Sequence, residues 1–294
     1  MALRSPLRLF WLRGARRKDG EQSYWSAPRR FSSASSEVQS ADTLRFALRR
    51  RGWRWRRRQS DALLLPRTEP GRARFFAALH RYSFRLFLRD AIAHGDDFAL
   101  ADLTRYCSSA VARRYLDLLL DLRLVRRRRD RLRLADPLVR SFGPTLEWFV
   151  GRVLRAEFGI PCAANVRLEG GVGGGDFDVV GLLEGTLLYV EVKSSPPRNI
   201  EVRQARAFCG RLASLAPGVA IFLNDTQLHM APKIVPLLRQ AYRAAFGSCR
   251  VESLTDEVYL LGRHVYLANS DPDLVGNIER CLTHWLRHRG GVRW

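Results

Sequence analysis

Lysine is scarce in this chain of 294 residues. Lys18, Lys193 and Lys233 are its three lysines, and the other 47 of its 50 basic residues are arginines. A skew of this size is typical of genome composition, so arginine by itself does not indicate phosphate recognition. A lysine at a chemically suggestive position is therefore more informative than any single arginine.

Other absences exclude whole classes of protein. No run approaches about 18 consecutive apolar residues, so no membrane-spanning segment is predicted. The five cysteines are odd in number and form no CxxC pair, which argues against a disulfide framework or a cysteine zinc site and favours a reducing compartment. The chain contains no internal repeat and no glycine-lysine phosphate loop of the Walker A type.

The charge that is present is positive and unevenly distributed. The formal net charge is +21, while 46% of the residues are hydrophobic, too many for a wholly disordered polycation. Residues 1–150 carry a surplus of 18 basic side chains and residues 151–294 a surplus of three. Nucleic acid is the first partner that this balance predicts, and an anionic membrane surface the second.

Residues 1–70 are predicted to be a basic, disordered N-terminal extension. It ends in RRRGWRWRRR, Arg49 to Arg58, where arginine alternating with tryptophan suits phosphate contacts and base stacking. A solvated, arginine-biased tail without function is the simpler interpretation. The Arg- and Ser-rich start also resembles an organellar transit peptide, and a misassigned start codon gives the same pattern. We expect a prokaryotic cytoplasmic protein, with organelle targeting as the alternative.

Residues 71–140 have the pattern of a small helical domain. Apolar spacing predicts a helix over 75–93, a short one over 98–107, a longer one over 110–120, and two short strands around a basic turn within 122–135. Ser109 is the expected N-cap of the third helix. Three helices followed by a basic hairpin resemble a winged helix-turn-helix over residues 82–138. Packing against another protein is the alternative role.

That resemblance implies binding to double-stranded DNA. The third helix would enter the major groove, and the hairpin would contact phosphates. The nucleic-acid-binding residues implied in this way are Arg113 and Arg114 on the helix, and Arg126, Arg127, Arg128, Arg129 and Arg131 on the hairpin.

Residues 141–294 are predicted to form an α/β domain. The segments are a helix over 145–158, an extended stretch over 163–168, strands over 176–183 and 186–193, a helix over 199–215, a buried strand over 218–225, a helix over 236–246, strands within 258–267 and a helix over 273–288. Strands flanked on both sides by helices predict a layered sandwich.

Three charged residues end two apolar strands of this domain. Asp178 lies among apolar neighbours, and Glu191 and Lys193 share one face of the next strand because side chains alternate along a strand. Burying carboxylates there is costly without a metal ion or a counter-charge, and that cost indicates a functional site. The alternative to a functional site is a surface hairpin that carries an ion pair. Asp176, two residues earlier, competes for the role of Asp178, which we favour because its neighbours place it deeper.

The same residues suit metal-assisted phosphodiester chemistry. Two carboxylates and a backbone carbonyl are oxygen ligands that Mg²⁺ accepts. Such an ion lowers the pKa of a bound water and stabilises charge on a phosphate oxygen. A lysine ammonium can orient the water or stabilise developing charge, whereas arginine, which is permanently protonated, cannot take part in proton transfer.

The pattern Asp178, twelve residues, Glu191-Val192-Lys193 resembles the PD-(D/E)xK nuclease superfamily. The resemblance, which runs from about 142 to 225, implies a restriction-endonuclease-like α/β/α sandwich with a mixed sheet. It implies Mg²⁺ or Mn²⁺ held by Glu147, Asp178 and Glu191, and a catalytic set that also includes Lys193 and Gln204. LEWFVGRVL, DFDVVG and YVEVKSS look most similar to nuclease-like domains that follow a winged helix in certain prokaryotic P-loop ATPases.

The function expected from the sequence is a metal-dependent DNA endonuclease with three parts: the extension 1–70, the winged helix 71–140 and the nuclease-like domain 141–294. The alternative is a catalytically inactive DNA-binding or ATPase-associated module that keeps the fold. A P-loop ATPase partner and a homodimer are both compatible with the sequence. DNA and RNA, and duplex and single-stranded substrates, are not distinguished by it.

Overall fold

A computed structural model of the protein describes residues 34–57, 62–170 and 175–289. The possible targeting segment at the start of the chain and most of the glycine run before Asp178 lie outside the described residues. Within the described ranges, no helix combines the length and the apolar character needed to cross a lipid bilayer.

One mixed eight-stranded sheet dominates the fold. Its strand order is β1-β4-β5-β6-β7-β10-β9-β8, in which β6, β7 and β10 run parallel and every other neighbouring pair is antiparallel. A separate hairpin, β2–β3, lies outside this sheet. The strands are β1 (Arg54–Arg57), β2 (Val125–Arg128), β3 (Arg131–Leu134), β4 (Cys162–Glu169), β5 (Gly175–Leu183), β6 (Thr186–Lys193), β7 (Val219–Asn224), β8 (Val251–Thr255), β9 (Val258–Leu261) and β10 (Val265–Asn269).

Helices cover both faces of the sheet, so the α/β class and the mixed sheet predicted from the sequence are confirmed. The helices are α1 (Ala34–Arg49), α2 (Glu69–Leu79), α3 (Tyr82–His94), α4 (Ser109–Asp121), α5 (Gly143–Ala156), α6 (Val202–Leu215), α7 (Ile234–Phe246) and α8 (Leu274–His288). Apolar side chains of α2 to α5 and α8 form one core cluster with Val190 and Val192 of β6. Those of α1, α6 and α7 form the other cluster with Tyr189.

The hairpin β5–β6 and the crossover through α6 place the predicted site residues. Glu184 and Gly185 both adopt positive φ, at 49° and 77°, which is the conformation a tight two-residue hairpin turn requires. Helix α6 then carries the chain back so that β7 pairs in parallel with β6. The carboxyl ends of β6 and β7 consequently lie side by side.

The prediction of a disordered extension over 1–70 is wrong for much of its second half. Residues 34–49 form α1, and β1 pairs antiparallel with β4 at the edge of the sheet. Leu44, Leu48 and Trp53 are buried in the core cluster of α6 and α7. A few large apolar side chains at the right positions outweigh the surrounding arginines, of which Arg45, Arg49, Arg50, Arg51, Arg54 and Arg56 stay exposed.

The helical part of the chain has the expected order with shifted boundaries. The single helix predicted over 75–93 is two helices, α2 and α3, because Arg81 has an extended backbone and acts as the N-cap of α3. The predicted short helix is a 3₁₀ turn over Leu100–Leu103. Ser108, one residue before the predicted cap, accepts a hydrogen bond from the backbone N–H of Val111 at the start of α4.

We call residues 69–134, from α2 to β3, the helical unit. Its apolar side chains belong to the same core cluster as those of α5 and α8, so it packs directly on the sandwich. Phe98 also pairs with Leu132 of β3, which fixes the hairpin against the loop after α3. The boundary predicted at residues 140 and 141 stays a prediction.

Candidate active site

Asp178 lies at an irregular point of β5. The register of β5 with β6 covers residues 179 to 183, and its register with β4 skips the pair formed by Asn165 and Asp178. Asn165 has a positive φ of 56°, the kind of backbone distortion found at strand bulges. Released from regular pairing, the Asp178 carboxylate reaches across to β6 and accepts a hydrogen bond from the backbone N–H of Val192 at 2.8 Å.

Glu191 and Lys193 lie on one face of β6, as the alternation in the sequence predicts. Lys193 Nζ is 2.6 Å from Glu191 Oε1 and 3.7 Å from Asp178 Oδ2. The side chain of Glu191 is wholly buried, and those of Asp178 and Lys193 are 12% and 19% exposed. The structure therefore brings these three residues together around one ammonium group.

Arg211 of α6 is a fourth member that the sequence analysis did not identify. Its Nη2 is 2.6 Å from Glu191 Oε1, and its Nε is 3.0 Å from Glu191 Oε2. This is the two-pronged geometry that favours guanidinium over ammonium at a carboxylate. The hydroxyl of Tyr189 donates a short hydrogen bond to Glu191 Oε2 and accepts one from Arg211 Nε at 2.8 Å. We call Asp178, Glu191, Lys193 and Arg211 the four-charge cluster.

Burial and neighbouring charges act on the pKa of each member of this cluster. Burial and the nearby Glu191 carboxylate raise the pKa of Asp178 to about 6. Burial also acts to raise the pKa of Glu191, but Lys193 and Arg211 outweigh it and the net shift is downward. Burial would lower the pKa of Lys193, but the carboxylates of Glu191 and Asp178 outweigh it and raise the value above its ordinary range. Lys193 is therefore a cation at neutral pH, not a base.

The donor chemistry of the cluster suits a hard divalent cation, since two carboxylates flank one position. As arranged, both oxygens of Glu191 already contact the protein's own cations. Over residues 34–57, 62–170 and 175–289, no group of three or more His, Cys, Asp or Glu side chains is placed to hold a metal ion.

The two remaining predicted site residues lie on helices that pack on opposite faces of the sheet. Glu147 is buried on α5, whose apolar residues pack on the sheet face opposite to Glu191. Gln204 lies on α6 two turns before Arg211, and its Oε1 accepts a hydrogen bond from the backbone N–H of Glu201, capping that helix. Metal binding by Glu147 and catalysis by Gln204 stay predictions.

Asp176, the competing carboxylate, is placed away from Lys193. It pairs with Arg167 of β4 across the strands, at 3.6 Å between Asp176 Oδ1 and Arg167 Nη1, and is partly exposed. The deeper position expected for Asp178 is thus what the structure has.

All seven arginines predicted to bind nucleic acid lie on the surface of the helical unit. Arg113 and Arg114 are on α4, and the other five are on β2, β3 and the turn between them. Arg131 pairs with Asp97 at 2.6 Å. These exposed arginines place positive charge on the surface of α4 and of the β2–β3 hairpin.

Comparisons with known proteins give distant structural similarity only. The chain is similar to Can2 from Sulfobacillus thermosulfidooxidans, solved in complex with cyclic tetra-adenylate, with 15% identity and a TM-score of 0.46 over 83% of this chain and 60% of that one. It is similar to protein VC1899 from Vibrio cholerae, with 15% identity and a TM-score of 0.48 over 86% of this chain and 62% of that one. The chain thus spans about three fifths of each structure. No protein-family model and no curated protein matches it.

Proposed function

We propose that the protein is a metal-dependent endonuclease of the restriction-endonuclease-like fold that hydrolyses phosphodiester bonds in DNA. The observation that carries this proposal is the convergence of Asp178, Glu191 and Lys193 where β5 begins and β6 ends. Chance pairing of surface charges does not account for carboxylates that are buried this deeply, because burial of a charge costs free energy that an ion pair offsets only in part.

Each of the three converging residues has a chemical role in this proposal. Mg²⁺ or Mn²⁺, when bound, would supply an acidified water and stabilise charge on the scissile phosphate. Asp178 is oriented by the backbone N–H of Val192, and Glu191 is oriented by Tyr189. Lys193, held as a cation, donates hydrogen bonds to the attacking water or to the charge that develops on the phosphate.

The helical unit would bind the duplex as a winged helix-turn-helix. Its element order, the exposed arginines of α4 and the exposed arginines of the β2–β3 hairpin support this proposal. The hairpin would contact phosphates, and α4 would face the major groove. Cleavage of both strands would need two copies of the site, which is consistent with a homodimer.

The experiment is nicking of supercoiled plasmid DNA with Mg²⁺ or Mn²⁺. Lys193→Ala is expected to lower the rate at least about 100-fold, the order of magnitude seen when one charge-stabilising group is removed. Lys233→Ala is the matched control, because Lys233 is an exposed lysine before α7. Circular dichroism confirms that both variants are folded. Nicking by Lys193→Ala or Asp178→Ala at the wild-type rate would overturn the mechanism.

A second candidate function is a DNA-binding or regulatory module without turnover. The two-pronged contact of Arg211 with Glu191 favours it, since the four-charge cluster is neutral without a metal ion. This candidate predicts salt-sensitive DNA binding, no metal binding and no cleavage of duplex, branched or single-stranded substrates. In the version with a P-loop ATPase partner, the helical unit would contact that protein instead of DNA.

A further inference from the structure

Arg211 contacts both carboxylate oxygens of Glu191. We propose that Arg211 is an internal counter-cation that keeps divalent metal ions out of the site and must leave Glu191 before one binds. The inference rests on the proposed function, in that it takes the cluster to be a cation site, and it names the residue that controls access.

The balance of charge is the first argument. Two carboxylates, one ammonium and one guanidinium sum to zero within a largely buried cluster. A divalent cation added to this set would leave two uncompensated positive charges, and the desolvation cost of buried unpaired charge opposes that. Binding of the ion is therefore coupled to departure of a protein cation.

The saturation of Glu191 is the second argument. Its Oε1 contacts Lys193 and Arg211, and its Oε2 contacts Arg211 and the Tyr189 hydroxyl. A carboxylate with both oxygens engaged by charged donors has little capacity left for a metal ion, which prefers the same lone pairs.

Arg211, not Lys193, is the cation that can move. Its side chain is 27% exposed, against 19% for Lys193, and it extends from a helix, whereas Lys193 belongs to a central strand and pairs there with Asn224 of β7. A guanidinium that leaves a carboxylate needs another anion with two acceptor oxygens, and a phosphate group accepts the same two-pronged contact. The nucleic-acid backbone is thus a ligand that could draw Arg211 away and open the site when substrate is bound.

The test is Mn²⁺ binding to the full-length protein stripped with chelator, measured by calorimetry without substrate. Arg211→Gln removes the charge and is expected to bind Mn²⁺ at least about tenfold more tightly than wild type. Arg211→Lys keeps the charge but cannot contact both oxygens, so a smaller gain is expected. Arg206→Gln, an exposed position on the same helix, is the matched control and leaves the affinity unchanged. Equal or weaker Mn²⁺ binding by folded Arg211→Gln would overturn the proposal.

A measurement on the wild-type chain covers the case in which Arg211→Gln does not fold. Labelling with an arginine-specific dicarbonyl reagent, mapped by mass spectrometry, should increase at Arg211 when Mn²⁺ saturates the protein and stay constant at Arg206. Mn²⁺ binding without that increase overturns the role of Arg211 and leaves the endonuclease proposal standing. Absence of Mn²⁺ binding in wild type and in every folded variant overturns both.

Discussion

Arg85 and Asp225 form an almost wholly buried ion pair, with side chains 1% and 2% exposed, although 140 residues separate them in the chain. Arg85 Nε donates to Asp225 Oδ1 at 2.9 Å, and its Nη2 donates to Ser270 Oγ at 3.1 Å. Nearby, Arg89 Nη1 donates to the backbone carbonyl of Ser194 at 2.5 Å. The pair joins α3 of the helical unit to Asp225, which directly follows β7. Ser194, the partner of Arg89, directly follows Lys193.

Removal of Asp225 should therefore destabilise the whole molecule. Asp225→Ala leaves Arg85 buried without its carboxylate, and we expect a loss of about 3–5 kcal/mol in the free energy of unfolding. Urea unfolding followed by fluorescence measures this change. Asp121→Ala is the control, since Asp121 pairs with Arg74 on the surface and exposed pairs contribute little. Equal losses in the two variants would show that the buried pair does not anchor α3.

The raised pKa of Asp178 predicts how stability depends on pH. An unfolded aspartate has a pKa near 3.8 and the folded one about 6, so between these values the folded state holds a proton that the unfolded state has lost. The free energy of unfolding that this group contributes therefore falls by about 1–3 kcal/mol as the pH rises through that window. Asp178→Asn removes the effect.

Urea unfolding of wild type and Asp178→Asn from pH 4 to pH 8, with chelator present, tests this prediction. The difference in the free energy of unfolding, variant minus wild type, should increase with pH up to about pH 6 and stay constant above it. Parallel curves over the whole range would show that the pKa of Asp178 is not raised in the folded protein.

The exposed arginines of the β2–β3 hairpin should set the salt dependence of DNA binding. Arg127→Gln and Arg128→Gln are each expected to reduce the slope of log affinity against log salt by about 0.9 if each side chain contacts one phosphate. Fluorescence anisotropy with a short labelled duplex measures the slope. Arg239→Gln on α7 should leave it unchanged, and an equal effect of Arg239→Gln would argue against the hairpin as the DNA contact.

The pairing of β1 with β4 at the edge of the sheet limits how far the N-terminus can be shortened without exposing that edge. A chain beginning at residue 62 lacks α1 and β1, so the edge of β4 is unpaired and the pocket filled by Leu44, Leu48 and Trp53 is exposed. We expect this chain to self-associate in light scattering, and a chain beginning at residue 34 to behave as the full protein does. A monomeric chain from residue 62 with full stability would contradict the role of β1.

Alternation and apolar runs predicted the central strands and the convergence of Asp178, Glu191 and Lys193, because these features are local in sequence. The break between α2 and α3 was missed because no proline or glycine marks it; the extended backbone at Arg81 depends on tertiary packing. Arg211 was missed because one arginine among 47 carries no signal. Its position on α6, seven residues after Gln204, becomes meaningful only when the helix is seen to face Glu191.

The pairing of β1 with β4 also has a consequence for the order of events during synthesis. The edge strand β1 comes before every other described strand in the chain, and its partner ends at Glu169, 112 residues after Arg57. At about 5–20 residues per second, the edge strand waits roughly 5–20 s for that partner. The arginines along it keep this waiting segment hydrated and discourage pairing with another nascent chain. The strand made earliest thus pairs only after β4 is complete, although six further strands are still to be synthesised.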